Sequence, residues 1–358
     1  DKMTKALRRE GKPLTIEAMK ELADFYTEGF VSDLKKLNVE SPTELPRASG
    51  HLAEEIKMIA TLLEKGIAYK LSDGIYFDIS KYEGYGKLGG LNLDKNEAAQ
   101  SRVASNPEKK NPRDFALWKF GEIGYESPWG KGFPGWHLEC SAMSEKYLGE
   151  TFDIHTGGID LSTVHHNNEI AQSETVHQKP FVHYWMHHAF IMMGEEKMSK
   201  SKNNFFQLKD IADRNIPPLA YRLWLLGGHY RTPMNFTWDA VLGSQTALEK
   251  LYRFWQGLPQ ESGVIDIAYQ DKLLTLLNDD LQTPQALALM WELVGDQSVS
   301  PENKKATLYI FDRVLGLGLT NWKQLHIPHD ILDLVEKREG ARKAGNFAEA
   351  DLIRKQIE

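Results

Sequence analysis

The segment from Phe152 to Met193 constrains the fold of this chain more than any other. Phe152-Asp153-Ile154-His155 reads as a strand running into Thr156-Gly157-Gly158, His165 to Val176 as a helix, and Tyr184 to Met193 as a second apolar strand. Strand, helix and strand at this spacing indicate a parallel α/β unit, because parallel neighbours need a connection long enough to hold a helix. Ligands of such sheets bind at the carboxyl ends of the strands.

The flanks read differently. Residues 15–38 place Ile16, Met19, Leu22, Phe25, Phe30, Leu34 and Leu37 at helical spacing among charged residues, which predicts one amphipathic helix or two. A further helix is expected from about His51 to Gly66, with the glycine as its stop. Ile67 to Ile79 then alternates around Ser72-Asp73-Gly74, a hairpin pattern. Residues 80–112 are rich in Gly, Asn, Asp, Lys and Ser and read as an inserted surface excursion. Beyond Pro233 the chain becomes helical (Ala247–Trp255, Asp271–Leu277, Pro284–Val294, Ala306–Leu315), with a break at Ile327-Pro328 and a charged helical stretch from Ile331 onward.

With 358 residues, against roughly 100–200 per domain, two or three units are expected. Apolar residues make up 41% and charged residues 26%, which is ordinary for a globular protein. No apolar run reaches the length of a membrane span, so a soluble, cytoplasmic protein without a membrane partner is expected. Cys140 is the single cysteine; it excludes an internal disulfide and fits a reducing compartment. The net charge of −7 argues against a general nucleic-acid coat protein but leaves room for a basic face.

Two short stretches carry the chemistry. Lys197-Met198-Ser199-Lys200-Ser201 puts two ammonium groups and two hydroxyls on one segment beside the strand that ends at Met193. It reads either as a solvated basic loop or as a clamp for phosphates, where lysines neutralise developing charge. A helix start is expected just after it, at Phe205-Phe206. In His165-His166-Asn167-Asn168-Glu169 the first and last residues share a helix face. With Cys140 they supply the thiolate, imidazole and carboxylate that zinc favours; the alternative is a buried structural cysteine beside a solvated helix face. Thr156-Gly157-Gly158-Ile159-Asp160 reads as a plain turn, or as a place where a ligand approaches the backbone while Asp160 accepts ribose hydroxyls or pairs with an ammonium group. Trp136 and His137 could simply be core, although Trp136 sits one helical turn from Cys140.

With these residues laid out, the sequence resembles the cysteinyl-tRNA synthetases, which are class I aminoacyl-tRNA synthetases. The resemblance rests on Gly135-Trp136-His137-Leu138-Glu139-Cys140-Ser141-Ala142-Met143, on Asp153-Ile154-His155 through Gly157-Gly158 to His165…Glu169-Ile170-Ala171-Gln172-Ser173-Glu174, and on Lys197 to Ser201. His229-Tyr230-Arg231, Asp279-Asp280-Leu281-Gln282-Thr283-Pro284 and Phe347-Ala348-Glu349-Ala350-Asp351 extend it over nearly the whole chain. It implies the second half of a Rossmann-like parallel sheet, with an insertion, followed by an all-helical domain. The boundaries it implies are a helical remainder of the first catalytic half at 1–50, an inserted connective region at 51–112, and the second nucleotide-binding half at 113–195. A signature-loop and tRNA stem-contact region at 196–235, a helical tRNA-binding domain at 236–326 and the start of an anticodon-side domain at 327–358 follow.

The implied activity is ATP-dependent attachment of L-cysteine to its tRNA through cysteinyl-adenylate, with one Zn2+ per chain and Mg2+ accompanying ATP. Cys140, His165 and Glu169 are then the zinc ligands, and Trp136 and His155 line the cysteine pocket. Lys197 and Lys200 act on the triphosphate, while Gly157, Gly158 and Asp160 hold the nucleotide or the polar end of the amino acid. The family's fourth zinc ligand and its His-Ile-Gly-His segment have no counterpart here, so a fragment inactive by itself is expected. Some positions depart from the family: Phe133 stands for a usual arginine, Thr156 for glycine and Asn167 for glutamate, with Ser162-Thr163-Val164 and Lys202-Asn203 also differing. Two other functions stay open. One is the mycothiol-pathway enzyme that joins cysteine to an amino sugar; the other is a non-catalytic synthetase-like module that docks tRNA or a partner.

Overall fold

Thr15 starts the long amphipathic helix by accepting a hydrogen bond from the amide of Ala18 (3.1 Å), the usual role of an N-cap hydroxyl. The computed structural model describes residues 2–89, 106–198, 204–261, 263–321 and 329–357. It divides the chain into two compact units, Asp1–Leu317 and Gly318–Glu358.

In the first unit, helices α1 (Lys2–Arg9) and α2 (Ile16–Lys36) bury Leu7, Ala18, Met19 and Leu22 against each other. The periodic pattern over 15–38 forms one helix, but only its first turns are covered, and Phe25 and Phe30 are exposed. Helix α3 (Leu52–Glu64) lays Met58, Ile59 and Leu62 on an antiparallel sheet. The expected hairpin is β1 (Ala68–Leu71) and β2 (Gly74–Phe77), closed by Ser72-Asp73 with Leu71 opposite Gly74. Strands β3 (Phe115–Tyr125) and β4 (Gly132–Pro134) extend it in the order β1-β2-β3-β4. A Cβ on Gly74 would lie 2.2 Å from the Trp118 carbonyl oxygen, so only glycine lets β3 approach here. Residues 115–134 thus complete an antiparallel sheet. Of the surface excursion, residues 90–105 lie outside the described residues.

The parallel unit follows. Helix α4 (Trp136–Leu148) leads into β5 (Phe152–Gly158), helix α5 (His165–His177) crosses over, and β6 (Val182–His188) pairs in parallel with β5 from Phe152↔Val182 to Gly158↔His188. Gly157 and Gly158 therefore lie in the strand rather than in a turn after it. The apolar run to Met193 is two strands, not one. It breaks after His188, where the Ala189 amide donates to the Tyr230 carbonyl (2.7 Å). Strand β7 (Ile191–Met193) then pairs antiparallel with β8 (Glu196–Lys197) and parallel with β9 (Met234–Asn235). The apolar pattern runs through the break, where only the hydrogen-bonding partner changes.

No helix starts at Phe205-Phe206. Helix α6 (Leu208–Ala212) begins after Gln207, which forms a capping box with Asp210. Phe206 packs instead on Phe236 (ring centroids 4.1 Å apart) and Trp238. Beyond α7 (Pro218–Leu226) come the expected helices: α8 (Trp238–Gly257), α9 (Ile267–Asn278), α10 (Thr283–Gly295) and α11 (Pro301–Leu315). Arg222 on α7 ties two helix ends together, donating to the carbonyls of Leu37, Asn38 and Leu315, where cationic side chains oppose the negative end of the helix dipole.

The second unit is a helical hairpin, α12 (His329–Lys343) and α13 (Phe347–Ile357), turning at Gly345 (φ 75) with Ala341, Ala350 and Ile353 buried. Among the described residues no helix is long and apolar enough to cross a membrane.

Candidate functional site

The site is built where α4 and α5 pack side by side. The start of α4 is fixed by Gly135, whose amide donates to the Leu117 carbonyl (2.8 Å) and whose Cβ, were there one, would lie 1.9 Å from the Ala116 oxygen. This brings Cys140 to His165 and Glu169, which the i,i+4 spacing stacks on one face of α5. Ligand atoms of the three lie within 4.8 Å of one another. His165 and Glu169 are buried and Cys140 is half-buried.

Each donor is prepared by a neighbour. His165 Nδ1 hydrogen-bonds His137 Nδ1 (2.7 Å), leaving Nε2 to face Glu169 Oε1 at 2.9 Å. Glu169 Oε2 is taken by His155 Nε2 (2.8 Å), whereas the buried Oε1 has no partner beyond the His165 Nε2 contact among the described residues. A buried carboxylate oxygen whose one partner is an imidazole nitrogen is incompletely satisfied, and grouped with the Cys140 thiol it is what a cation would satisfy; the donor set fits zinc. Burial would raise the Glu169 carboxyl, but His155 and His165 outweigh it and hold it at about 2. Burial and the charges of Glu169 and Glu139 push the Cys140 thiol up to about 12, so without a cation it keeps its proton.

A second group, His155, His166 and Glu169, also gathers within 4.8 Å. Its atoms are already engaged, Glu169 Oε2 by His155 and His166 Nδ1 by His187 Nε2 (2.8 Å), so the first group has the stronger claim to a metal. Burial lowers His137 to about 3 and His166 to about 4, which keeps both imidazoles neutral. Trp136 is 60% exposed and lays its ring 4.5 Å from that of His165, at the mouth of the cluster rather than in the core. His155 lies among Phe152, His166 and Trp185.

The glycines serve the protein more than a ligand. A Cβ on Gly157 would meet the His166 ring at 2.7 Å, and one on Gly158 would meet Asp160 Oδ1 at 2.7 Å. Of the alternatives open for Asp160, the structure has the ammonium pair: Lys197 Nζ lies 3.3 Å from Asp160 Oδ2. Lys197 also sits over the Phe190 ring (3.3 Å), and it is on a strand, not a loop. Lys200 lies outside the described residues. A largely apolar cleft of about 490 Å³ lies beside Lys197 and Met198, walled by Phe190, Tyr230 and Leu281. It does not include the Cys/His/Glu group.

His137, His166 and His187, to which the sequence assigned no role, bond within and beside the cluster. The repeated His-His pairs at 165–166 and 187–188 were the available signal.

The profile of the tRNA synthetases class I (C) catalytic domain matches residues 1–246. Cysteine–tRNA ligase 1 of Burkholderia lata is 42% identical over 366 residues, covering 100% of this chain and 76% of that protein. The cysteine–tRNA ligases of Chlorobaculum tepidum (40% over 382 residues) and Caldicellulosiruptor saccharolyticus (38% over 382 residues) are covered to 77% and 81% of their lengths. Among solved structures, Mycobacterium tuberculosis methionyl-tRNA synthetase in complex with methionyl-adenylate superposes with a TM-score of 0.54. At 15% identity, with 88% of this chain and 80% of that one covered, the likeness is one of fold.

Proposed function

Because this chain belongs to the cysteine–tRNA ligase family of class I synthetases, we propose that it selects cysteine by its sulfur at a zinc ion held by Cys140, His165 and Glu169. It is an ATP-dependent ligase of the aminoacyl-tRNA synthetase type. The observation that carries the zinc reading is the buried Glu169 Oε1, which has no partner beyond His165 Nε2 among the described residues and is grouped with the Cys140 thiol. Bound there, zinc would supply a Lewis acid that favours thiolate strongly over the harder, less acidic hydroxyl of serine. Packing alone discriminates such an exchange poorly.

The chain's own residues do the rest. His137 and His155 hold His165 and Glu169 in place, and Trp136 with His155 flanks the amino acid. Activation joins a cysteine carboxylate oxygen to the α-phosphorus of ATP, breaks the bond to the β-phosphate oxygen and releases pyrophosphate. This step needs alignment and charge neutralisation rather than a covalent enzyme intermediate. Lys197 exchanges Asp160 for phosphate oxygens, Lys200 joins it on the leaving pyrophosphate with Mg2+, and Asp160 is freed for the nucleotide beside Gly157 and Gly158. A hydroxyl of the terminal adenosine of the cysteine tRNA then takes the aminoacyl group. We assign tRNA contact to the helices within 236–326, the stem-contact role to 196–235 and the anticodon side to 327–358.

The test is zinc content and cysteine affinity of Cys140→Ser and His165→Ala. About one zinc per unaltered chain and loss of both zinc and cysteine binding in either variant is expected. Unchanged cysteine affinity would sink the assignment.

A further inference from the structure

Asp280 and Leu281, between α9 and α10, both have φ of 55. Two consecutive left-handed residues without a glycine are costly and persist only where their surroundings hold them. Here one aspartate is held by three consecutive residues. Its carboxylate accepts from Arg231 Nε (2.6 Å) and Nη2 (3.2 Å) and from the Tyr230 hydroxyl, and its carbonyl oxygen bonds His229 Nε2 (2.8 Å).

The held segment is in turn the backbone support of the lysine hairpin. The Tyr230 carbonyl accepts from the Ala189 amide (2.7 Å), at the point where the strand run breaks. Met234 N donates to Phe190 O (3.2 Å) and Phe236 N to Met192 O (2.8 Å), tying the next residues along β7. The Met198 amide closes the hairpin on Ile191 O (3.1 Å), next to Lys197 on β8. Leu281 and Thr283 line the same cleft as Lys197 and Met198. A continuous hydrogen-bonded route thus runs from the α9–α10 turn to the first lysine of the phosphate segment.

We propose that Asp280 is a positioning residue for Lys197: by locking His229-Tyr230-Arg231 it sets where the β7–β8 hairpin presents the ammonium group. This rests on the reading of Lys197 as a triphosphate contact.

Amide hydrogen exchange on the full chain tests the positioning whether or not the protein turns over. In Asp280→Ala the Ala189 and Met198 amides are expected to exchange at least tenfold faster than in the parent, with the α5 amides unchanged. In ATP–pyrophosphate exchange the same variant should lose tenfold or more in kcat with KM for cysteine unchanged, a split that a merely structural cap would not produce. Should Asp280→Ala not fold, Asp280→Asn, which keeps the side chain's shape, is measured the same way. Parent-like exchange at Ala189 and Met198, with faster exchange confined to 229–231 and 280–283, overturns the proposal. Where the parent chain shows no exchange activity, as expected without a His-Ile-Gly-His segment, the amide response alone decides the positioning.

Discussion

Replacing Glu55 with glutamine is expected to remove a fall in stability with rising pH. Glu55 is on α3, which packs on α4 and α5. Its side chain is fully buried, and neither carboxylate oxygen has a hydrogen bond among the described residues. Burial, helped by the charges of Glu139 and Glu54, raises its carboxyl to about 8, against about 4.3 in an unfolded chain. The folded value is the higher one, so between the two the folded protein carries a proton that the unfolded chain lacks. That contribution is complete below the unfolded value and fades as pH climbs through the folded value. At about 1.4 kcal/mol per unit, the step from about pH 6 to about pH 8 costs about 2 kcal/mol, or several degrees of melting temperature. Glutamine has the shape of the protonated acid and does not titrate. Melting followed by far-ultraviolet circular dichroism should show the decline in the parent and not in Glu55→Gln, with the variant the more stable at the higher pH. A parent equally stable at both values, or a variant that keeps the whole decline, would refute the reasoning.

Two further outcomes follow from the site. His137→Phe keeps a ring against Phe115 but loses the bond to His165 Nδ1, so zinc affinity measured by chelator competition should weaken about 10- to 100-fold while one zinc still binds at saturation. Gly157→Ala drives a methyl into the His166 ring and should cost about 1–3 kcal/mol in urea unfolding. Gly158→Ala meets only the movable end of Asp160 and should cost less.

The elements that depend on local pattern were readable in the sequence. His165 and Glu169 share a face because helices repeat, and the Ser72-Asp73 turn and the late helices follow from spacing. What was not readable is set across elements. The His137–His165 bond exists because Gly135 seats α4 on β3, and nothing in the order of residues states that. The strand break at Ala189 is equally silent, since apolar residues continue through it while the backbone changes partner. Departures from the family pattern also acquire reasons only in three dimensions. Phe133, where arginine is usual, packs on the α1–α2 core and edge-on to Tyr125 (5.8 Å). Asn167, where glutamate is usual, is fully buried and bonds Leu88 through both its amide and its carbonyl while also donating to Ser162 O.

The histidine-rich wall around Glu169 resolves an electrostatic difficulty. His137, His155, His165, His166 and His187 crowd one carboxylate, and five protonated rings would repel both a metal ion and the ammonium group of an amino acid. Burial answers this for three of them, lowering His137 to about 3, His166 to about 4 and His187 in the same direction. The rings meet in pairs, His137 with His165 and His166 with His187, so each bond orients the ring it holds. His155 on Oε2 and His165 on Oε1 hold the Glu169 carboxylate from both sides. Glu169 stays ionised at about 2 and Cys140 stays protonated at about 12, so of these two donors only the carboxylate is charged before any cation enters. A divalent cation that displaces the thiol proton would add two positive charges and one more negative, bringing the donor set to neutrality. With His137 and His166 kept neutral by burial, a single carboxylate and a single thiol would suffice as the charged ligands of the proposed zinc.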